Sequence, residues 1–504
     1  MKKFYITTAI DYVNASPHIG HAYEKICADV IARWHRLKDN DVYFLTGTDE
    51  NAQKNAQAAK EAGVDTKKFV DENSKKFIEL CRKLNLSNDD FIRTTEDRHI
   101  KISQMIFKKL YEKGDIYKGF YEGYYCDGCE AFITQKELIN GKCPEHHIEP
   151  KFIKEESYFF KLNKYQKEVL KLLAEGLVEP ETRKNEILNR VKEGLNDLSV
   201  SRKNVDWGVE VPLDKEHKVY VWIDALVNYI SALGYPDGAL FKKYWPADLH
   251  LVGKGINWFH SVIWPAILIS AEIELPKKIF VHGYVNTKGK KISKSLGNVV
   301  DPIQLIDKYG VDALRYFLLR EIPFGEDGDF SVSSLIRRYN SDLANDLGNL
   351  LNRTLTMIEK YFEGELPEIE KKDLKIIETL ITQTKALPES FSKLMDNLAF
   401  NEALTSIWQL INSANKFIED IKPWVLAKED GESLKKVIYA LYEVLRITSI
   451  LIWSFIPKTS DEIRKQMGLK EAVEGSFLKQ LEWGLTPTKT KIKKGKPLFP
   501  RIKI

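Results

Sequence analysis

This 504-residue sequence predicts an α/β protein: a parallel sheet split by an insertion, followed by a bundle of α-helices. Three observations carry that prediction. Strand-like apolar runs alternate with amphipathic helical stretches near residues 4–50 and again between 218 and 285. A block bearing glycines and cysteines interrupts them, and beyond about residue 330 only helical periodicity remains. The length allows several domains with separate cores. With 43% hydrophobic and 29% charged residues the composition is ordinary for a water-soluble chain. No stretch approaches eighteen consecutive apolar residues, and the amino terminus runs directly into strand-like sequence. Neither a membrane span nor a signal peptide is expected, which makes the cytoplasm the expected compartment. A net charge of +4 is too small to argue for nucleic acid by itself.

Residues 4–9 read as a strand and Gly20–Leu37 as a helix, with Ala22, Ile26, Val30 and Trp34 at four-residue spacing on one buried face. Asp41–Thr46 is a second short strand, ending at Gly47-Thr48-Asp49-Glu50. Strand, crossover helix and strand make a Rossmann-like unit, whose ligand site lies beyond the strands' carboxyl ends. The strand pattern resumes at Lys218-Val219-Tyr220-Val221-Trp222-Ile223, Leu249–Gly253 and Ile279–Val285. The sheet is therefore expected in two halves, residues 1–117 and 216–285, around an insertion at 118–215. Residues 286–330 follow as a loop region, and 331–504 as a helical domain with patterns over roughly 333–361, 372–388, 392–418 and 433–456. Leu398, Leu404, Ile407, Trp408 and Ile411 illustrate one buried stripe. From Lys489 to the end, Lys489, Lys491, Lys493, Lys494, Lys496, Arg501 and Lys503 occur without an acidic residue, as either a solvated tail or a phosphate-attracting segment.

His18-Ile19-Gly20-His21 lies where the first strand gives way to the first helix. Amides at a helix start favour phosphate oxygens, and two histidines three apart face the same side, so both can reach a bound triphosphate. Gly20, lacking a Cβ, would let a nucleotide pack on the backbone. Lys291-Ile292-Ser293-Lys294-Ser295 is the second element. Two lysines and two hydroxyls can surround a departing pyrophosphate, and Gly289 and Gly297 suit a loop that closes and reopens.

Five cysteines are too few for a disulfide framework. Cys27 and Cys81 sit in helix-like sequence as core residues. Cys126-Asp127-Gly128-Cys129 and Cys143-Pro144-Glu145-His146 form two pairs, each with two residues between ligands, and thirteen residues separate the pairs. Three thiolates and one imidazole suit a closed, structural zinc (Zn2+) site, with His147 as a rival fourth ligand.

Together the two phosphate elements resemble the signature motifs of class I aminoacyl-tRNA synthetases, and within that family the methionyl-tRNA synthetases. Tyr12-Val13-Asn14, Gly47-Thr48-Asp49-Glu50, Tyr220–Ala225, Phe259-His260-Ser261 with Trp264-Pro265-Ala266, Val281-His282-Gly283-Tyr284 and Lys496–Arg501 extend the likeness over essentially the whole chain. The resemblance implies ATP-dependent activation of L-methionine as its adenylate, with Mg2+ on the phosphates, and transfer to tRNA(Met), initiator tRNA included. It assigns His18, Gly20, His21, Lys291, Ser293, Lys294 and Ser295 to ATP, and His18, His21, Lys291 and Lys294 to catalysis. Ala9, Ile10, Tyr12, Trp222, Ala225, Tyr229, Ile256 and His260 become the methionine site, with Asp49 holding the ammonium group. Trp222 is expected at a strand end, and Tyr229 or His260 as a weak donor to the thioether sulfur.

By the same resemblance, residues 286–330 contact the tRNA stem and the bundle binds the anticodon, through Asn349 and Arg353 on one helix and Trp424, which can stack on a base. The sequence departs from the family pattern at Gly255, where an aspartate is usual, at Leu226, at Asn51-Ala52 in place of His-Gly, and at Ala9 and Asp11. With little sequence after the bundle, a monomer lacking the extra tRNA-binding module of some relatives is expected, with a separate tRNA-binding protein as an optional partner. The alternatives are a class I synthetase for another amino acid, a small-molecule nucleotidyltransferase, and a catalytically inactive tRNA-binding paralogue.

Overall fold

A parallel sheet organises the amino-terminal half of the chain. The computed structural model describes every residue except 130, 134, 204, 288, 292–298, 371, 470–476, 488 and 504. Among the described residues this sheet has six strands, in the order Asp90–Arg93, Asp41–Asp49, Lys3–Tyr12, Leu249–Gly253, Ile279–His282 and Val178–Glu179. All pairings are parallel. Helices cover both faces, so the central strands read as near-continuous apolar runs rather than alternating ones. Two strands run longer than their apolar cores suggested: the first extends to Tyr12 and the second to Asp49. A register irregularity between Thr7 and Ile10 re-aims the end of the first strand, where Ala9 and Ile10 lie.

The Ile19–Leu37 helix is buried almost all round, Lys25, Asp29 and Arg33 included, because the sheet packs on one side and the carboxyl-terminal helices on the other. The expectation of a single buried face was too narrow. Arg315, fully buried, spans this junction. It pairs with Asp29 at 2.7 Å and donates to the carbonyls of Phe455 at 2.6 Å and Ser454 at 3.1 Å.

Within the middle block an antiparallel sheet joins Ala131–Ile133, Ile116–Cys126, Lys151–Phe160 and Leu198–Ser199. Val178–Glu179, inside this block, returns to the edge of the parallel sheet beside Ile279–His282. The run Lys218–Ile223 is not a strand of the main sheet. Asp214–Val219 belongs to a small antiparallel sheet with Glu210–Val211 and Ser201–Lys203, and Val221–Leu226 is helical. Every residue of that helix is buried, so no polar face interrupts the apolar run to reveal a helical period.

Helical structure is continuous from Val332 to Phe362, with a π-helical stretch at Tyr339–Gly348. Glu378–Asp396, Phe400–Ile421, Pro423–Glu429, Gly431–Leu451 and Pro457–Gln466 complete the bundle. Pro388 lies inside its helix, and the break falls instead at Leu398, whose φ is +58°. The basic carboxyl-terminal segment is docked, not a solvated tail. Lys489 and Ile492 donate backbone bonds to Leu366 and Gly364, and Ile502 is held by Asn340. No helix among the described residues is long and apolar enough to cross a membrane.

Candidate active site

In the main sheet the strand order reverses at Lys3–Tyr12: Asp41–Asp49 lies on one side and Leu249–Gly253 on the other. Such switch points open a crevice at the carboxyl ends of the strands. Here the crevice is a cleft of about 1670 Å³ lined by Tyr12, His18, Gly20, His21, Asp49, Trp222, Gly255 and His260, and by the cysteine turn of the insertion.

His18 and His21 form one unit. His18 caps the Ile19–Leu37 helix, with its Nδ1 accepting the Gly20 N–H at 3.0 Å, while His21 Nδ1 accepts the His18 N–H at 3.0 Å. The two rings stack with centroids 3.8 Å apart. Because each Nδ1 is an acceptor, each neutral ring carries its proton on Nε2. Burial, then the neighbouring charges of His21 on His18 and of Lys25 on both, push the pKa values of both imidazoles down to about 3. The pair is therefore uncharged at neutral pH and offers two N–H donors. The expectation that open helix-start amides would greet phosphate needs correction: the Ile19 N–H is taken by Val300 O and the Gly20 N–H by His18 itself. A Cβ on Gly20 would lie 2.9 Å from His18 Cε1, so glycine there makes room for the His18 ring, while Gly20 itself lines the cleft.

Behind this pair, fully buried Lys25 bonds Asp11 at 2.6 Å and lies 3.7 Å from Glu24, which in turn pairs with His282 at 2.9 Å. Sequence reasoning noted Asp11 as a departure but missed Lys25, because a lysine on a helix usually faces water. Its burial follows only from packing on both sides of that helix.

On the other side of the cleft, all the residues predicted for the amino acid come together: Ala9, Ile10, Tyr12, Asp49, Trp222, Ala225, Tyr229, Ile256 and His260 line it. Trp222 stands in the Val221–Leu226 helix, not at a strand end. Phe259, which the sequence placed in a motif but not in the site, stacks on Trp222 with centroids 3.7 Å apart and planes at 7°. A π-helical turn at Phe259–Ile263 presents Phe259 and His260 to the same indole. His260 Nδ1 lies 3.0 Å from the Ile256 carbonyl and its Nε2 lies 2.7 Å from the Tyr229 hydroxyl. The carbonyl can only accept, so His260 donates from Nδ1 and Tyr229 donates to Nε2. Burial lowers the His260 pKa to about 4 and keeps that tautomer neutral. Both protons are thus committed within the protein, and neither residue has one to give to a thioether sulfur in this arrangement.

Gly255 lies 2.3 Å, measured from an added Cβ, from the Tyr284 hydroxyl, so Tyr284 fills the volume that a side chain at 255 would need. Lys254 pairs with Asp327 at 2.6 Å and lies 4.5 Å over the Tyr284 ring, which braces that arrangement.

Lys291 ends a short strand that pairs with Val285–Thr287; Ser293, Lys294 and Ser295 lie outside the described residues, as does the Lys291 side chain. The chain on either side, Tyr284 and Val285 before and Val299 after, lines the same cleft as His18.

In the insertion, Cys126, Cys129, Cys143 and His146 place one ligand atom each within 4.8 Å of one another. Cys129 Sγ is 3.5 Å from Cys143 Sγ and 3.3 Å from His146 Nδ1, while Cys143 Sγ is 3.9 Å from that nitrogen. Tetrahedral zinc with bonds of about 2.0–2.3 Å needs ligand separations of roughly 3.3–3.8 Å, so the donor set fits a closed site. His146, not its rival His147, completes it. Gly128 is required: a Cβ there would fall 2.4 Å from His146 Cγ.

Asn349 and Arg353 lie on the Asn349–Phe362 helix, with Arg353 paired to Glu419 at 2.6 Å. Trp424, 43% exposed, begins the next short helix after Glu419's own, so it is a surface residue rather than a core one.

The family model described as tRNA synthetases class I (M) matches residues 4–151 and 136–355, and that of the anticodon-binding domain of tRNA ligase matches residues 378–494. The methionine–tRNA ligase of Caldanaerobacter subterraneus subsp. tengcongensis is 50% identical, across 100% of this chain and 79% of its own length. That of Thermotoga maritima is 46% identical, across 99% and 80%. The solved structure of Mycobacterium tuberculosis methionyl-tRNA synthetase in complex with methionyl-adenylate has a TM-score of 0.95 at 42% identity, covering 99% of this chain and 100% of that one. The apo form of the same enzyme has a TM-score of 0.87 at 38% identity, covering 100% and 99%. The chain belongs to the class I methionyl-tRNA synthetases.

Proposed function

We propose that this chain activates L-methionine with ATP as methionyl-adenylate and transfers the methionyl group to the 3′-terminal adenosine of tRNA(Met), in the cytoplasm. The observation that carries the reading is a single cleft holding a two-histidine donor pair at one side and an aromatic pocket with a buried carboxylate at the other. A carboxylate is ionised at neutral pH, so the first step needs no general base. A methionine carboxylate oxygen bonds to the α-phosphorus, the bond from that phosphorus to the bridging oxygen breaks, and pyrophosphate leaves. The protein's contribution is alignment and charge stabilisation.

In this reading His18 and His21 donate from Nε2 to phosphate oxygens as neutral groups. Lys291 and Lys294, with the Ser293 and Ser295 hydroxyls, attend the leaving pyrophosphate. Asp49 binds the ammonium group, and Trp222, Tyr12 and the Tyr229–His260 pair enclose the side chain, whose thioether meets polarizable ring faces. Magnesium would neutralise phosphate charge. Zinc, held by Cys126, Cys129, Cys143 and His146 with no open position, would shape the turn that forms part of the cleft wall. In the second step a terminal ribose hydroxyl of tRNA bonds to the adenylate carbonyl and AMP departs. Asn349, Arg353 and Trp424 would read the anticodon, Trp424 by stacking.

Amino-acid-dependent exchange of pyrophosphate into ATP, run with all twenty amino acids, tests this. A methionine-selective signal is expected. Selective exchange with another amino acid would overturn the substrate, and none with any would favour an inactive tRNA-binding protein.

A further inference from the structure

The strand that delivers Asp49 ends in a buried hydrogen-bonded chain that continues into the aromatic side of the cleft. Asn51, two residues after Asp49, is buried and donates from Nδ2 to Asp224 Oδ2 at 2.8 Å and to the Thr94 carbonyl at 3.0 Å. Its own backbone N–H points at Asp49 Oδ1 at 3.3 Å. Asp224, 1% exposed, stands in the Val221–Leu226 helix between Trp222 and Ala225. Its second oxygen lies 3.0 Å from Nε2 of His99, which is fully buried, and His99 Nδ1 lies 2.9 Å from Ser231 Oγ, two residues past Tyr229. Asn51 is further fixed by its neighbours. The Glu50 N–H donates to Thr94 Oγ1 at 2.8 Å, Asn55 Nδ2 to the Asp49 carbonyl at 2.9 Å, and the Trp207 indole, from the insertion, to the Glu50 carbonyl at 2.7 Å.

Buried carboxylate oxygens need hydrogen-bond donors. Asp224 draws one donor from the strand end that carries Asp49 and another from the Asp97–Glu112 helix, while its own helix carries Trp222 and Ala225. We infer that Asn51 and Asp224 are positioning residues for methionine: their hydrogen bond sets the separation between the Asp49 carboxylate and the Trp222–Ala225 wall. The inference rests on the methionine-site reading above. It makes amino-acid affinity, and not ATP affinity, depend on a contact that touches neither substrate.

The direct perturbation is Asn51→Asp, which keeps shape but sets a carboxylate oxygen against Asp224 Oδ2. While both carboxylates are ionised they repel and the link opens; as pH falls one takes up a proton, which the pair can share, and the link is restored. In pyrophosphate exchange at pH 8, N51D should raise the methionine KM at least tenfold and leave the ATP KM within about twofold, with the methionine KM recovering as pH drops toward 5.5. Asn51→His, which retains an N–H donor, should stay within about threefold of the parent enzyme. Should N51D fail to fold, Asn51→Ala carries the same expectation of a raised methionine KM without the recovery at low pH. Equal effects on both KM values, or a folded variant with an unchanged methionine KM, would overturn the inference. Asp49→Asn separates the two levels. An unchanged methionine KM in D49N removes the site reading itself. A raised KM in D49N beside an unchanged one in the Asn51 variants removes only the positioning role.

Discussion

Replacing His21 by alanine should slow adenylate formation far more than it weakens the fold. The ring does two jobs in the structure. Its Nδ1 accepts the His18 N–H at 3.0 Å and so completes the helix cap, and its Nε2–H, 4.0 Å from Asp11 Oδ1 and so beyond a hydrogen bond, is a neutral donor on the cleft wall. Loss of a capping interaction costs about 1 kcal/mol of stability. Loss of a hydrogen bond to a charged oxygen costs about 1.5–3 kcal/mol. At about 1.4 kcal/mol per factor of ten, the chemical step should fall roughly 10- to 150-fold. Rapid-quench measurement of adenylate formation at saturating ATP and methionine, beside a thermal melt, reads the two effects separately. Since both imidazoles have pKa values near 3, the unmodified enzyme should show no acidic limb from them above about pH 5. A chemical step within about twofold of the parent, or a histidine limb near pH 6.5 in the parent, would refute the assignment of neutral donors.

Other expectations follow from individual contacts. Gly255→Asp forces a side chain toward the Tyr284 hydroxyl and should lower activation at least about fivefold, whereas the same change in a Tyr284→Phe background should cost clearly less; equal losses in both backgrounds would show that Tyr284 does not fill that space. Gly128→Ala should release zinc to a chromogenic chelator faster than the parent, because the added methyl displaces His146, while His147→Ala should release it at the parental rate. The buried neutral histidine His260, with a pKa of about 4 against an ordinary 6.5, binds its proton more readily in the unfolded chain, so stability should be full above about pH 6.5 and decline as pH falls toward 4. The slope from this group alone is about 1.4 kcal/mol per pH unit, and denaturant melts from pH 7 to 4.5 that stay level would contradict its burial as a neutral ring. Arg315→Met takes one of two arginines from Asp29, which keeps Arg33 at 2.8 Å and Ser87, and leaves two bundle carbonyls without their donor; it should cost about 2–3 kcal/mol, read as a lowered denaturation midpoint, and a change below about 1 kcal/mol would mean the junction does not rely on it.

The parts of the site legible in the sequence were those whose chemistry is local. His18, Gly20 and His21 occupy one helix start, and three cysteines and a histidine declare a metal by their spacing. The strand-helix-strand opening was equally plain, because a helix with a regular apolar spacing intervenes between two short, largely apolar runs. Trp222 was found but misplaced, since Val221–Leu226 is buried on all sides and carries no polar face to mark its period. Lys25 went unnoticed, and Phe259 and Asp224 were quoted within motifs but given no role, for a different reason. Each acquires its role from a residue distant in the chain: Phe259 from Trp222, Lys25 from Asp11, Asp224 from Asn51 and His99. The helical pattern expected to stop near 388 runs on through Pro388 to Asp396, and the break lies at Leu398, where a left-handed residue turns the chain. The basic terminal segment read as either a solvated tail or a phosphate-attracting one, and neither reading foresaw its docking, because backbone pairing with Gly364 and Leu366 leaves no trace in its side chains.

The central claim is that one cleft between Lys3–Tyr12 and Leu249–Gly253 holds the phosphate on the histidine pair and the amino acid on the Asp49–Trp222 side. A crystal structure with a non-hydrolysable methionyl-adenylate analogue measures it directly. The account predicts Nε2 of His18 or His21 at about 3 Å from an oxygen of the phosphate mimic, with the ammonium group at Asp49 and the thioether against Trp222. An analogue bound in this cleft with its phosphate mimic remote from both histidines, or bound elsewhere on the protein, would contradict it.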